Sequence, residues 1–462
     1  MERSDTMNYT KEEQHRRMTQ TPIPRLVTSM AIPTTCSQLV STIYNTADTY
    51  FVSQIGTSAS AAVGVVFSLM SIIQAVGFGI GMGSLSLISP KLGAKKEEEA
   101  NAVAASSLAL AIVFGILLMI FGTLAIEPLM RLLGSTDTIL PYARAYAHFI
   151  LFGAPIMCPA FVLNNILRAE GMAMYAMWGL CTGGILNMFL DPLFIFYFDM
   201  GISGAALATV LSQCISCFIL ALVFIRRKSI VTLKLKYVSH KLSDYTLIIT
   251  SGFPTICRQG LGSLSSAMLN VQAAVFGDAA VAAVTIANKI YMLVRNLVIG
   301  VGQGFQPVAG YNYGAGNKRR VREAFRFATL LGTVICTTAA VLLALNAPTV
   351  IAWFRPDDPD VLRIGTRALY FSCAVMPFMG YSTYVNQIYQ CLGFRVPATI
   401  LASLRQGICF IPLVLLLPAI LDVTGVEMAQ PGADLLTFFV AVPFQIHFFR
   451  KVLTLKEDKT LK

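Results

Sequence analysis

Twelve long apolar runs, separated by short polar connections, account for most of this sequence. They fall at residues 27–55, 60–89, 101–126, 140–167, 174–198, 202–225, 247–276, 280–311, 325–347, 361–392, 396–421 and 430–449. A helix needs about 20 mostly apolar residues to cross a bilayer, and every run reaches that length. The sequence therefore predicts an all-α membrane protein with twelve transmembrane helices.

Composition agrees with this class. The chain is 55% hydrophobic and 13% charged, whereas a soluble domain carries about 25% charged residues. The polar first 25 residues and the length of the first apolar run indicate no cleaved signal peptide. The ten cysteines lie in or beside the apolar runs and predict no disulfide framework.

The basic residues predict the orientation of the chain. Most of the 35 Lys and Arg residues lie in the two tails and in the loops that follow even-numbered runs. The loops after odd-numbered runs, together with the first residues of the runs that follow them, hold only Arg131, Arg144, Arg355, Arg363 and Arg367. Because Lys and Arg accumulate in cytoplasmic loops, we expect both termini in the cytoplasm. The net charge of +11 thus follows topology and indicates no nucleic-acid partner.

An internal repeat divides the chain. Residues 33–94 align without gaps with residues 254–315, and residues 155–171 align with residues 377–393. The repeat predicts two six-helix bundles in the same orientation, related by a pseudo-twofold axis along the membrane normal, with a cleft between them. The expected division is an N-terminal tail 1–25, an N-lobe 26–225, a cytoplasmic linker 226–246, a C-lobe 247–449 and a C-terminal tail 450–462.

Two acids stand clearly inside apolar runs. Asp48 interrupts the first run and Asp191 interrupts the fifth. An acid at membrane depth costs several kcal/mol unless it is paired, hydrated or protonated, and it usually marks an ion or proton site. Asn187 precedes Asp191 by one helical turn, so the two share a helix face. Pro192 cannot donate a backbone N–H, so we expect a kink there.

Two further oxygen donors fall near the same depth. A rise of about 1.5 Å per residue puts Asp48, Asp191 and Thr209 roughly 12 Å below the outer end, with Tyr146 shallower. Such hard oxygen donors suit H⁺ or Na⁺ rather than zinc or copper. We therefore predict a cation-coupling site made of Asp48, Tyr146, Asn187, Asp191 and Thr209. All of these residues except Tyr146 are candidate ligands of Na⁺.

The second half of the repeat lacks this set. Leu269 and Leu413 stand at the positions equivalent to Asp48 and Asp191. A need of the fold would be expected in both halves, so we place the site in the first lobe. The alternative is a structural ion pair between Asp48 and Lys289.

Other residues are candidates for the cleft and for helix packing. Asn45, Lys289 and Arg295 could line the cleft and contact substrate. The glycine run at 77–83 has a counterpart at 300–304. Close helix packing and a bendable helix are both compatible with such a run.

Three segments carry a family resemblance: YNTADTYFVSQIG in the first run, RAEG at 168–171, and NMFLDP in the fifth run. They resemble the multidrug and toxic compound extrusion (MATE) family, in its DinF-like, MepA-type branch. The resemblance covers nearly the whole chain. It implies a multidrug efflux antiporter that exports amphipathic, often cationic, compounds in exchange for H⁺ or Na⁺ by alternating access. It also implies cation-site roles for Asp48, Tyr146, Asn187, Asp191 and Thr209.

The same resemblance implies a monomer in the plasma membrane of a bacterium, with a role in antibiotic resistance, no cofactor and no enzymatic activity. No HExxH, GxSxG or catalytic His–acid set is present. The main alternative is a flippase for lipid-linked oligosaccharides, whose relatives have a cationic cleft. Here only Arg258, Lys289, Arg295 and Arg405 offer such charge to the cleft.

Overall fold

The structure is a computed structural model that describes residues 10–355 and 358–453, and within those ranges it is helical with no β-strand. Parts of both predicted tails lie outside the described residues. The helices are α1 (Lys11–Gln20), α2 (Ile23–Ser53), α3 (Thr57–Gly93), α4 (Glu97–Leu124), α5 (Ile126–Leu132), α6 (Leu140–Ala169), α7 (Ala173–Pro192), α8 (Gly201–Ile225), α9 (Leu242–Ala274), α10 (Asp278–Gly314), α11 (Lys318–Leu345), α12 (Ala347–Ala352), α13 (Pro359–Cys391), α14 (Arg395–Ser403) and α15 (Phe410–His447).

The α15 segment holds two helices joined at Asp422, whose φ of 51° and ψ of −135° break the helical backbone. A π-helical turn, Leu404–Ile408, joins α14 to its first part. With that division, the described residues contain twelve long helical segments, consistent with the predicted number. The sequence predicted a loop between residues 421 and 430. The structure narrows that break to Asp422, so the following residues are helical.

Hydropathy separates the long helices into two groups. Eight helical segments of the described chain are long and apolar enough to cross a membrane, counting Arg395–Val452 as one. The helices α2, α9 and α13 are outside that group. Because α2 and α9 carry many Ser, Thr and Gln residues and open the two halves of the repeat, their polarity indicates a shared position beside a polar interior.

Local sequence features mark the ends of these helices. Gly56 and Gly277 occupy equivalent positions in the repeat, have φ values of 150° and 96°, and precede α3 and α10. Such conformations favour glycine because it lacks a Cβ atom. The first turn of α4 holds three glutamates, where the helix dipole stabilises acids. After Pro192, which cannot donate to the helix ladder, α7 continues as a π-helix over Leu193–Tyr197.

The two bundles repeat each other in detail. The helices α2, α3, α4, α6, α7 and α8 form the first bundle, and α9 to α15 form the second. In the first, the Asn164 side-chain amide donates to the Ala176 carbonyl at 2.8 Å. In the second, Asn386 donates to the Ala398 carbonyl at 2.7 Å. Equivalent side chains therefore connect equivalent helices in both halves.

The glycine runs let the bundles approach closely. A Cβ atom on Gly83 of α3 would lie 2.2 Å from the Ile248 carbonyl oxygen of α9. On the other side, a Cβ atom on Gly304 of α10 would lie 2.4 Å from the Ala31 nitrogen of α2. Gly83 and Gly304 are equivalent in the repeat. Because α3 runs unbroken through its glycines, the structure supports the packing interpretation.

These contacts lie toward one end of the molecule, which we call the basic end. It comprises α1 and the connections 94–96, 170–172, 226–241 and 315–317. Here α1 contacts both bundles: Gln14 donates to the Glu170 carbonyl at 2.7 Å, and Asn312 donates to the Met18 carbonyl at 3.0 Å. The connection after α8 is fixed by the buried Glu170 carboxylate, which accepts from the Ser229 hydroxyl at 2.7 Å.

Candidate functional site

A cluster of oxygen donors lies inside the first bundle, between α7 and α8. The Asn187 amide donates to Asp191 Oδ1 at 2.9 Å and reaches Thr209 Oγ1 at 3.4 Å. All three residues are buried, and Asp191 is 0% exposed. The spacing of Asn187 and Asp191 by one turn puts both on the face of α7 that meets α8.

Asp48 and Tyr146 complete the cluster from α2 and α6. The half-buried Asp48 carboxylate lies within electrostatic range of Asp191. The fully buried Tyr146 hydroxyl lies within electrostatic range of both carboxylates and beside Thr209. The structure thus brings together the five side chains that the sequence predicted for one site.

Several oxygens of this cluster lack protein partners. Among the described residues, Asp48 Oδ1, Asp191 Oδ2 and the Tyr146 hydroxyl are buried and make no hydrogen bond. A buried polar atom without a partner costs roughly 1–3 kcal/mol. Two carboxylates, a hydroxyl and an amide oxygen fit a proton or a small hard cation such as Na⁺. In the described part of the chain, no group of three or more His, Cys, Asp or Glu residues could hold a metal ion.

A cavity of about 540 Å³ lies between the two bundles. The first bundle contributes aromatic, serine and glutamine side chains, among them Tyr44 of α2 and Phe67 and Phe78 of α3. The second contributes polar side chains from α9, α10 and the turn after α14. Both α2 and α9 line the cavity, which explains their polar composition.

Three arginines of the second bundle face this cavity: Arg258, Arg295 and Arg405. Arg405 Nε forms an ion pair with Asp434 Oδ1 at 2.6 Å. The Tyr291 hydroxyl bonds to both side chains of that pair. Asp434 is 3% exposed and lies in the second part of α15. The sequence interpretation was wrong to single out only Asp48 and Asp191 as acids inside the bundles.

Comparison with known proteins identifies the family. The model of the MatE family matches residues 33–193 and, a second time, residues 254–416. The chain belongs to the MatE family. The two matches fall on the two copies of the internal repeat, so the duplication predicted from the sequence corresponds to two copies of one family unit. The protein is accordingly a membrane transporter and not an enzyme.

The chain is similar to transporters over nearly the whole length of both proteins. A multidrug export protein MepA of Staphylococcus saprophyticus is 24% identical over 433 residues, covering 94% of this chain and 95% of the relative. The MepA of Staphylococcus aureus strain COL is 25% identical over 456 residues, covering 98% and 100%.

Solved structures show the same fold. A MATE crystal structure in complex with MaL6 has a TM-score of 0.90 at 26% identity and covers 95% of this chain and 99% of that chain. A MOP superfamily transporter from Pyrococcus furiosus has a TM-score of 0.88 at 27% identity and covers 94% and 98%. In that transporter, reverse polarity of the binding pocket is said to suggest a different function.

The remaining predicted residues of this MatE protein have different positions. Arg295 lines the cavity. Lys289 is exposed, is not among the residues that line the cavity, and forms no ion pair with Asp48 or another described acid. The Asn45 amide donates to the Ser41 carbonyl at 2.7 Å within α2, and Asn45 is also outside the cavity wall.

Proposed function

We propose that this MatE protein is a secondary-active multidrug efflux antiporter. In this proposal it exports amphipathic compounds in exchange for H⁺ or Na⁺ by alternating access of the N-lobe 26–225 and the C-lobe 247–449. The observation that carries the proposal is the pair of carboxylates Asp48 and Asp191, which have buried oxygens without partners. Asp48 lies one helical turn from Tyr44, which lines a large cavity. The relatives named multidrug export proteins support the export of drugs.

The helix α2 connects the cation site to the substrate site. Asp48 belongs to the oxygen cluster, and Tyr44, one turn earlier on α2, lines the cavity. A cation bound between Asp48 and Asp191 draws α2 toward α7 and changes the cavity wall at Tyr44. Because a ligand shifts a conformational equilibrium only by its difference in affinity for the two states, the cation must bind more tightly in one arrangement of α2.

The topology of the proposal follows the basic residues. We place the basic end, with both termini, in the cytoplasm of a bacterial cell and the cavity on the outward side. Positive loops at that end and the glycine contacts that close it support this orientation. All described parts of the proposed machinery lie within one chain, so a monomer is sufficient.

The charge of the cavity wall differs from what the family resemblance implies. The described residues that line the cavity include three arginines and no Asp or Glu. The cationic drugs expected from the resemblance therefore meet no carboxylate on the cavity wall. The same arginines favour a second candidate function, the flipping of lipid-linked oligosaccharides through their phosphate groups.

Transport in everted membrane vesicles tests the coupling site. With a proton or a sodium gradient imposed separately, we expect Asp48→Asn and Asp191→Asn to abolish gradient-driven dye efflux at normal expression. Loss of one carboxylate deprives the bound cation of a buried counter-charge, which costs roughly 3 kcal/mol and weakens cation binding by about a hundredfold. Asp199→Asn, an exposed position beyond α7, is the matched control. Normal coupled efflux by Asp48→Asn would refute the proposed role.

A further inference from the structure

The charge on the cavity wall is concentrated in one bundle. Arg258 comes from α9, Arg295 from α10 and Arg405 from the turn after α14, so three separate elements aim guanidinium groups at one space. Arg295 lies within electrostatic range of Arg258, Arg405 and Asp434. Three cations thus share one buried carboxylate in this region.

That carboxylate is already engaged. Asp434 accepts from Arg405 Nε at 2.6 Å and from the Gln430 amide at 3.2 Å, and it also bonds to the Tyr291 hydroxyl. Arg405 is therefore neutralised within the wall. Its guanidinium is held in place by the pair rather than free to meet a ligand.

Arg258 and Arg295 have no comparable partner. Among the described residues, neither forms an ion pair or a hydrogen bond, and Arg295 Nε is buried without an acceptor. Both side chains are half-buried. A buried charge without a counter-charge is costly, and a guanidinium binds carboxylate, sulfonate and phosphate groups through paired N–H donors. The two arginines therefore present a site for an anionic group.

The opposite wall suits an apolar body. Tyr44, Phe67, Phe78 and Phe161 of the first bundle line the same cavity. Phe78 and Phe161 stack with ring centroids 4.5 Å apart. The first bundle thus brings four aromatic rings to the cavity, among serine and glutamine side chains, and the second bundle brings the three arginines.

We propose that this cavity binds amphipathic organic anions. Arg258 and Arg295 hold the anionic head, and the aromatic side chains of the first bundle hold the apolar body. The inference rests on the proposed transport function and specifies its substrate class. Because an anion leaves while a coupling cation enters, both movements carry positive charge inward, and an inside-negative membrane potential drives them.

A pair of probes with one aromatic body and opposite heads tests the inference. Binding of pyrenebutyrate and of pyrenebutyl-trimethylammonium to the purified protein is measured by equilibrium dialysis. We expect the anion to bind and the cation to bind at least about tenfold more weakly. Arg258→Gln and Arg295→Gln should each weaken anion binding by about tenfold, the effect of one lost charge-assisted bond. Arg295→Lys should restore part of it.

Controls separate the possible results. Arg363→Gln, an exposed arginine paired with Asp360, should leave anion binding unchanged. Dodecyl phosphate is the second anionic probe; if it alone binds, the inference holds and the head is a lipid phosphate. Preferred binding of the cation, or anion binding insensitive to both Gln variants, overturns the inference. Anion binding without uptake under either gradient upholds the inference and refutes the proposed antiport.

Discussion

At the scale of single residues, local spacing predicted one site and missed another. Asn187 and Asp191 share a helix face by simple periodicity, and the depth of Asp48 matched theirs. The Arg405–Asp434 pair depends on how α14 and α15 fold against each other. Its signal was present as an arginine in the eleventh run and an acid in the twelfth. The predicted run begins at residue 430, so the sequence places Asp434 near an apparent helix boundary rather than inside the bundle.

The Arg405–Asp434 pair leads to a stability prediction. Asp434→Asn leaves a buried guanidinium without its counter-charge, which should cost roughly 3 kcal/mol and lower the apparent Tm of the purified protein. The double variant Arg405→Gln/Asp434→Asn removes both charges and should recover part of that loss. Equal destabilisation by the single and double variants would show that the charge imbalance is not the cause.

At the scale of helices, the lengths of the apolar runs and the positions of the glycines predicted the structure well. The sequence did not predict the helix in the N-terminal tail or how short the break between residues 421 and 430 is. The predicted runs correspond to the long helices because backbone hydrogen bonds must be satisfied within a bilayer. The helix α1 lies in a segment predicted only as a tail, although Thr10 and Glu13 form a capping box at its start. Its position across both bundles depends on distant partners such as Glu170 and Asn312, which no local pattern specifies.

The close approach of α3 and α9 gives a prediction for Gly83. Gly83→Ala puts a methyl group against the Ile248 carbonyl, so α3 and α9 cannot close fully at the basic end. We expect loss of most gradient-driven dye efflux in everted vesicles, with normal expression. Gly64→Ala, on the same helix with no atom within 4 Å of an added Cβ, should leave efflux unchanged. Equal efflux by the two variants would argue against a functional need for the close contact between α3 and α9.

The connection after α8 should respond to pH through Glu170. Burial raises the pKa of this carboxyl to about 7, against the lowering effect of its bonds to Ser229 and Ile230. A raised pKa in the docked state means that docking is fully favoured below the ordinary carboxyl pKa and weakens as the pH rises through about 7. Tryptic cleavage at Arg226–Lys228 should therefore accelerate between about pH 5 and about pH 7 and level off above that.

Glu170→Gln is the matched control for that titration. The amide keeps an acceptor for Ser229 but cannot ionise, so docking in the variant should not respond to pH, and the ratio of the wild-type to the variant cleavage rate should rise with pH. The ratio of the two rates cancels the pH dependence of trypsin itself. A constant ratio across this range would contradict the role of Glu170.

At the scale of the whole molecule, α1 connects both bundles at the basic end. Arg320 of α11 fixes the residue that follows α1 by donating to the Thr21 carbonyl at 2.6 Å. It also donates to Asn312 Oδ1 at 2.9 Å. From the first bundle, the Glu170 carbonyl accepts from Gln14. These bonds stabilise the arrangement in which the basic end is closed.

Arg320→Ala should shift the molecule away from that arrangement. The buried thiol of Cys391, 0% exposed near this end, would then react faster with a maleimide in a variant that keeps only this cysteine. Arg319→Ala removes an exposed arginine paired only with Glu323 and should not change the rate. Equal labelling of both variants would show that α1 does not restrain the bundles.

The paired glycine contacts have a mechanical consequence. α3 packs closely on α9, and α2 packs closely on α10, through glycines at equivalent positions of the repeat. Each half therefore contacts the other in the same way. If only one of these two contacts opened, the other would still hold the bundles together. The bundles would then rotate relative to each other rather than separate. Release at this end is therefore a single concerted event, and whatever triggers it has to act on both halves together.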